Sequence, residues 1–307
     1  MMNIFGKKSI YLDYAGSTPL DKSVARAMHE SESELFANPS AIHKYGVNSH
    51  KAIESSRANI ARLINAHPDE IVFTGSGTES IVLALWGVLK NYRKQNNGAL
   101  PHIVTTNIEH HAVLANCKSL VELGGAEVTY VECDEKGMVN PKDVAIAIKE
   151  NTVLVSVMYA NNEVGTIEPL QEIAKVIRHH RKEKNSPYPF FHTDACQAMN
   201  YLMTENIEKL GVDLMSFNSS KIYGPKGVGV LYKKRSVTLQ PIYSGGGQEF
   251  GLRSGTENTV SIMGASLALE IACKMKDKES ARLSALRDYG IEQILKLTDY
   301  KIILNGD

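Results

Sequence analysis

Residues 153–193 read VLVSVMYANNEVGTIEPLQEIAKVIRHHRKEKNSPYPFFHT and hold one strand–helix–strand unit. The run Val153-Leu154-Val155-Ser156-Val157 is apolar and β-branched, which predicts a strand. Pro169 then stands where a first helical turn tolerates it, and Ile173, Val176, Ile177 and His180 recur at the spacing of one helix face. Pro189 to Thr193 predicts the returning strand. A strand that feeds a helix and returns in the same sheet does so by a right-handed crossover, with the two strands parallel.

The same alternation extends in both directions. Ile71-Val72-Phe73-Thr74, His102-Ile103-Val104-Thr105 and Val128-Thr129-Tyr130-Val131 precede the unit; Asp213 to Asn218 and Val228 to Tyr232 follow it. Ile81, Leu85, Val88 and Leu89 mark a helix in the first gap. The fold class is therefore α/β, a mostly parallel (mixed) sheet sandwiched by helices, in one large domain over residues 20–255. After Glu257 a long helical pattern runs to about Leu297, followed by Tyr300-Lys301-Ile302-Ile303-Leu304, which predicts a strand, and by Asn305-Gly306-Asp307, a hairpin-turn signal with no return strand behind it. Residues 256–307 thus read as an interdomain helix and the start of a small domain that is cut off.

The composition bounds the function. The chain has 307 residues, 34 Lys+Arg against 34 Asp+Glu, and is 43% hydrophobic and 22% charged, an ordinary globular balance. Zero net charge argues against nucleic acid as a partner, because that binding rests on many cations facing phosphates. The basic run Arg178-His179-His180-Arg181-Lys182 ends a helix, where cations suit the dipole and solvent. The longest apolar stretch, Ile81 to Leu89, is under half of the roughly 20 residues a membrane span needs, and the first residues lack a signal-peptide core. Cys117, Cys133, Cys196 and Cys273 show no metal-site spacing, so no metal is expected and a reducing, cytoplasmic compartment fits.

Ligands of open α/β sheets sit at the carboxyl ends of the strands, and the polar residues there form a coherent set. Gly75-Ser76-Gly77-Thr78-Glu79-Ser80 leads into a helix, an arrangement that cradles phosphate through free backbone N–H groups and the positive end of the helix dipole. Glu109-His110-His111, Asn161-Asn162-Glu163, Asp194 with Gln197, and Asn218-Ser219-Ser220-Lys221 follow the later strands. A phosphate cradle, a histidine, an amide, a strand-end carboxylate and a strand-end lysine are the parts needed to hold pyridoxal 5′-phosphate. Lysine suits a Schiff base, and a carboxylate keeps the pyridine nitrogen protonated so that the ring draws electrons.

With these residues in place the chain resembles the cysteine desulfurases of the class V aminotransferase group, pyridoxal-phosphate enzymes of fold type I. The likeness runs from Tyr11-Leu12-Asp13-Tyr14 to Leu304-Asn305-Gly306-Asp307 and is carried by several motifs. They are Asn38-Pro39-Ser40 with His43, Gly77-Thr78-Glu79-Ser80, Glu109-His110, Asn161 to Gly165, Asp194 with Gln197, Lys221 to Gly227, and Gly245 to Glu249 before Arg253-Ser254-Gly255-Thr256. The resemblance implies that Lys221 bonds the cofactor, that His110 stacks on its ring and helps proton transfer, and that Asp194 pairs with the ring nitrogen. It implies that Asn162 and Gln197 contact the ring oxygen, that Gly77, Thr78 and Ser220 serve the phosphate, and that Thr256 reaches the phosphate of a neighbouring subunit in a homodimer. Asn38 would lie near the substrate, L-cysteine, and residues 1–19 would associate with the small domain. The product sulfur would pass as a persulfide to an acceptor or Fe–S scaffold protein, or into thiolated nucleotides.

Two departures stand out. Asn218-Ser219-Ser220 replaces the family's usual Ser-Gly-His, and the family's nucleophilic cysteine and carboxylate-binding arginine fall in a segment expected after Asp307. Cys117 and Cys273 read as core residues, Cys133 as an unactivated thiol, and Cys196, two residues from Asp194, as a packed thiol whose charge that carboxylate disfavours. The competing readings are another class V enzyme, a selenocysteine lyase or aminotransferase, or a truncated homologue that binds cofactor or partner without desulfurase activity.

Overall fold

A computed structural model describes residues 9–202, 206–297 and 301–306. Seven strands are present: β1 (Ile71–Thr74), β2 (His102–Thr106), β3 (Glu127–Val131), β4 (Thr152–Ser156), β5 (Phe190–Asp194), β6 (Leu214–Asn218) and β7 (Gly229–Lys233). The helices are α1 (Lys22–Ser31), α2 (Lys44–Ile64), α3 (Gly77–Gln95), α4 (His111–Glu122), α5 (Pro141–Ala147), α6 (Leu170–Lys184), α7 (Ile207–Leu210) and α8 (Thr259–Leu295). All seven strands expected from the β-branched runs form, displaced by a residue at most of their ends.

The sheet order is β1-β7-β6-β5-β4-β2-β3. Strand β7 pairs antiparallel with both β1 and β6, and the other ladders are parallel, so six strands point one way and β7 alone runs against them. Side chains alternate across the sheet as the pleat requires. Ile71, Phe73, Val155, Met215 and Val230 enter the core on one face with Ile53, Ile60 and Ile262, whereas Val72, Leu154, Leu214 and Leu231 enter the core under α3 and α4 with Ile81 and Leu85. Both faces are therefore covered, and ligand access is left to the strand ends.

Two histidines inside the sheet are structural. His102 bridges Thr152 and Thr129, both at 2.8 Å, and His192 bridges Ser156 at 2.8 Å and Ser216 at 3.0 Å. Burial lowers their pKa values to about 4 and about 3, so both are neutral cross-strand ties at pH 7.

Three local expectations, on Pro169, Arg181 and the 300–304 strand, are corrected. Pro169 is the N-cap of α6 and precedes its first turn. Arg181 leaves the solvated basic run: it pairs with buried Asp213, and its Nε donates to the Pro189 carbonyl at 2.7 Å, tying α6 to β5. Residues 301–306 form no strand, because no described segment pairs with them in a ladder; Tyr300 lies outside the described residues. Burial along α8 ends at Lys276, beyond which Leu286, Tyr289, Ile294 and Leu295 are exposed. The described part of the 1–19 segment is laced to the lysine turn, with Thr18 N donating to the Ser220 carbonyl at 2.9 Å and Tyr223 N to Thr18 Oγ1 at 2.8 Å. No helix among the described residues is long and apolar enough to cross a membrane.

Candidate cofactor pocket at the carboxyl edge of the sheet

Strand β1 ends at Thr74, and the turn Gly75-Ser76 starts α3. Ser76 caps the helix by accepting the Glu79 N–H at 3.1 Å, while Thr74 Oγ1 and Ser80 Oγ bond at 2.7 Å. The backbone N–H groups of Gly77 and Thr78 lie in the first helical turn, where donors have no intrahelical partner. A Cβ on Gly77 would stand 2.7 Å from Cys196 Sγ, so only glycine lets the helix start settle onto the strand end. The same holds at the head of β7, where a Cβ on Gly229 would stand 2.1 Å from the Ser76 carbonyl.

Glu79 anchors this turn from outside. It accepts Gly75 N at 2.6 Å, Arg253 Nε at 2.8 Å and the Tyr243 hydroxyl at 2.9 Å. Burial works against its charge, but the Arg253 guanidinium and the Gly75 N–H outweigh it and hold the carboxyl below its ordinary range. The cradle is thereby tied to the glycine-rich loop that precedes Thr256.

His110 is the N-cap of α4, and its Nδ1 accepts the Ala112 N–H at 3.0 Å. With Nδ1 accepting, the ring's N–H donor is at Nε2. Asn161 organises the next loop: its Oδ1 accepts Glu163 N at 2.8 Å and Val164 N at 2.9 Å, and its Nδ2 donates to the Ile108 carbonyl at 3.0 Å, which joins the Asn162 loop to the His110 turn. At the end of β5, Asp194 is 5% exposed and its Oδ1 accepts Cys196 N at 2.9 Å. Lys221 closes the ring from a 3-10 turn after β6; its Nζ donates to the Gly16 carbonyl at 2.9 Å and to that of Ala15.

One pocket is lined by Gly77, Thr78, His110, Asn162, Asp194, Gln197 and Lys221, seven of the residues singled out above. Ile81, Met158, Ala160, Cys196 and Asn218 complete its wall. Of the remaining candidates, Ser220 is outside it, with its carbonyl taken by Thr18; Asn38 accepts Ser40 N at 2.9 Å on an exposed loop; Thr256 is exposed. Asn218 was legible as the last residue of its strand, and its Oδ1 is buried without a partner among the described residues, as is Gln197 Oε1. Met158 and Ala160 gave no signal, because nothing in an apolar side chain distinguishes a pocket wall from core.

The thiols are quiet. Burial pushes Cys196 well above its ordinary range and the Asp194 charge adds to that, while burial lifts Cys117 to about 12 and raises Cys133. Among the described residues no group of three or more His, Cys, Asp or Glu could hold a metal ion.

Residues 10–306 match the aminotransferase class-V family. The chain belongs to that family. It is 44% identical over 301 residues to the cysteine desulfurase IscS of Dictyoglomus turgidum, a match that covers 98% of this chain and 73% of the relative. The mitochondrial cysteine desulfurase of Saccharomyces cerevisiae is 40% identical over 95% of this chain and 56% of its own length. Among solved structures, a NifS-like protein superposes with a TM-score of 0.88 at 36% identity, covering 95% of this chain and 77% of the other. SspA in complex with cysteine gives 0.78 at 38% identity, covering 85% and 72%. The family is pyridoxal-phosphate-dependent, and similarity of this extent supports cysteine desulfurase function; it does not favour the selenocysteine lyase, aminotransferase or inactive-homologue readings.

Proposed function

We propose that this pocket binds pyridoxal 5′-phosphate and that L-cysteine is the substrate turned over beside it. The carrying observation is the convergence of seven candidate residues, drawn from five separate strand-end turns, on one pocket. The residues fit the cofactor end by end. The start of α3 at Gly77 and Thr78 presents backbone donors and the positive dipole end to a phosphate, and it can sit there only because residue 77 has no Cβ. Asp194 is the buried anion that a protonated ring nitrogen requires. Asn162 and Gln197 would meet the ring oxygen, and the orphaned acceptors Gln197 Oε1 and Asn218 Oδ1 mark places where a ligand or its water completes the bonding.

When bound, the cofactor supplies an electron sink that stabilises negative charge on the substrate's α-carbon. Lys221 would tether it through Nζ, at the site where the Ala15 and Gly16 carbonyls now hold that amine. Asp194 would keep a proton on the ring nitrogen. His110, oriented by its bond from Ala112 N, would pack on the ring and hold or pass a proton at Nε2. Thr256 is exposed, and in a homodimer it would reach the second copy's phosphate. Asn38 would lie near the substrate. The reaction converts L-cysteine to L-alanine and leaves its sulfur on a nucleophilic thiolate as a persulfide, for an acceptor or Fe–S scaffold protein. With neutral thiols at Cys117, Cys133 and Cys196, none of these three is suited to that nucleophilic role.

Borohydride reduction of the chain with pyridoxal 5′-phosphate, followed by peptide mapping, tests the assignment. The pyridoxyl group is expected on Lys221; a label on another lysine overturns it.

A further inference from the structure

Glu109 is a buried acid that the proposed chemistry does not use. Its carboxyl is 5% exposed and lies where three elements meet. Oε1 accepts the Thr106 hydroxyl from the end of β2 and the Met158 N–H just past β4, both at 2.8 Å. Oε2 is buried with no hydrogen-bond partner among the described residues. The adjacent Ile108 carbonyl accepts Asn161 Nδ2 at 3.0 Å, so the turn that carries His110 is fastened to the loop that carries Asn162 at two points, one of which is this carboxyl.

We propose that Glu109 works as a neutral carboxylic acid and is the positioning residue that sets the His110 turn against the Met158–Asn162 loop. The ionisable groups that act on it from the neighbouring elements include Asp194 at the end of β5, Glu168 before α6 and the Cys117 thiol of α4, and His110 follows it in the chain. A charge at Oε2 would have neither solvent nor a partner among the described residues, and the Asp194 charge would act against it. Burial, reinforced by Asp194 and Glu168, accordingly lifts the carboxyl to about 8. A proton on Oε2 removes that cost while leaving Oε1 free to accept both of its bonds. The clamp is a property of the chain; only its consequence for ligand binding rests on the cofactor reading given above.

Glu109→Gln keeps the acceptor and the shape without the titration, and Glu109→Ala removes the acceptor. The first measurement is the thermal unfolding midpoint against pH without cofactor. A group whose folded pKa is raised contributes stability that is complete below its unfolded pKa of about 4.5 and is lost as pH rises through about 8. The wild-type midpoint is therefore expected to fall relative to Glu109→Gln across that interval and to run parallel above it. The second measurement is fluorescence titration with pyridoxal 5′-phosphate at pH 7: Glu109→Gln should stay within about threefold of wild type, and Glu109→Ala should bind about tenfold more weakly or fail to fold. Parallel wild-type and Gln curves throughout, or a Gln variant as impaired as the Ala variant, would overturn the proposal. Failure of the wild-type chain to bind the cofactor would sink the cofactor reading instead and leave the unfolding arm to decide the clamp.

Discussion

Glu109 and Glu249 perform the same mechanical task in two regions of the molecule and meet opposite electrostatic terms. Each fastens its segment by accepting a backbone N–H, that of Met158 just past β4 at 2.8 Å for Glu109 and that of Phe73 within β1 at 2.7 Å for Glu249, and each is 5% exposed. Glu249 has a cation. Arg57 Nη1 and Nη2 reach its two oxygens at 2.8 and 2.7 Å, and the guanidinium lies between the Phe73 and Phe250 rings at 4.8 and 5.0 Å. Burial works against the Arg57 charge, but Glu249 outweighs it and holds the guanidinium above its ordinary value. Glu109 instead accepts from the Thr106 hydroxyl and the Met158 N–H, and Asp194 and Glu168 act against its charge. A buried carboxylate fastens a loop as an ion when a guanidinium comes with it and as an acid when none does. Asp194 is a third case, in which the cation belongs to the proposed ligand.

The largest effect should follow from removing the cation of the paired case. Arg57→Ala leaves Glu249 buried and uncompensated, and equilibrium denaturation should show a loss of about 3–5 kcal/mol. A loss below about 1 kcal/mol would show that the two loops are held alike and would break the contrast. Next comes the ligand-supplied case: Asp194→Ala forfeits a charge-assisted hydrogen bond worth about 1.5–3 kcal/mol, so affinity for pyridoxal 5′-phosphate should fall roughly 10- to 150-fold by titration. Unchanged affinity would remove Asp194 from its assigned role.

Glu168 sharpens the unpaired case. It accepts Val139 N at 2.9 Å, its other oxygen has no partner among the described residues, and burial lifts it to about 7. Its stabilising contribution is complete below about pH 4.5 and lost as pH rises through about 7, so Glu168→Gln should gain about 1–2 kcal/mol on wild type over that interval. Equal pH dependence of the two proteins would contradict the assignment. The smallest effect belongs to Cys196→Ser, because a thiol held neutral beside Asp194 takes no charged part; cofactor affinity should stay within about twofold of wild type. Sulfur transfer abolished with cofactor binding intact would instead make Cys196 the nucleophile.

Legibility in the sequence followed the range of the forces involved. The strands around residues 71, 103, 154 and 191 were readable because a run of β-branched residues between turn signals has few other uses. Strand-end Asp194 was readable because a polar residue that closes an apolar run must face a partner or water, and Lys221 because it follows such a run by one turn. Arg181 was misread as solvated because its partner, Asp213, lies 32 residues away and joins it only across the sheet edge. Ser220 drew notice for its neighbours in the chain, yet the turn faces its carbonyl toward Thr18 and puts Asn218 on the pocket wall.

By itself the amino-acid order determined the alternation of strands and helices, the position of a glycine-started helix after the first strand, and the residue types that close each strand, since these depend on side-chain periodicity and backbone sterics within a few residues. Only the tertiary structure decided the charge states. Burial lifts Glu109 and Glu168, while Glu249 is bound by the Arg57 guanidinium, and these differences depend on which groups the packed chain brings within a few ångströms and whether water is excluded there. Arg57 meets Glu249 from 192 positions away, whereas the bonds to Glu109 come from Thr106 and Met158. Local sequence carries no information on encounters at that separation, because they exist only once the sheet has assembled.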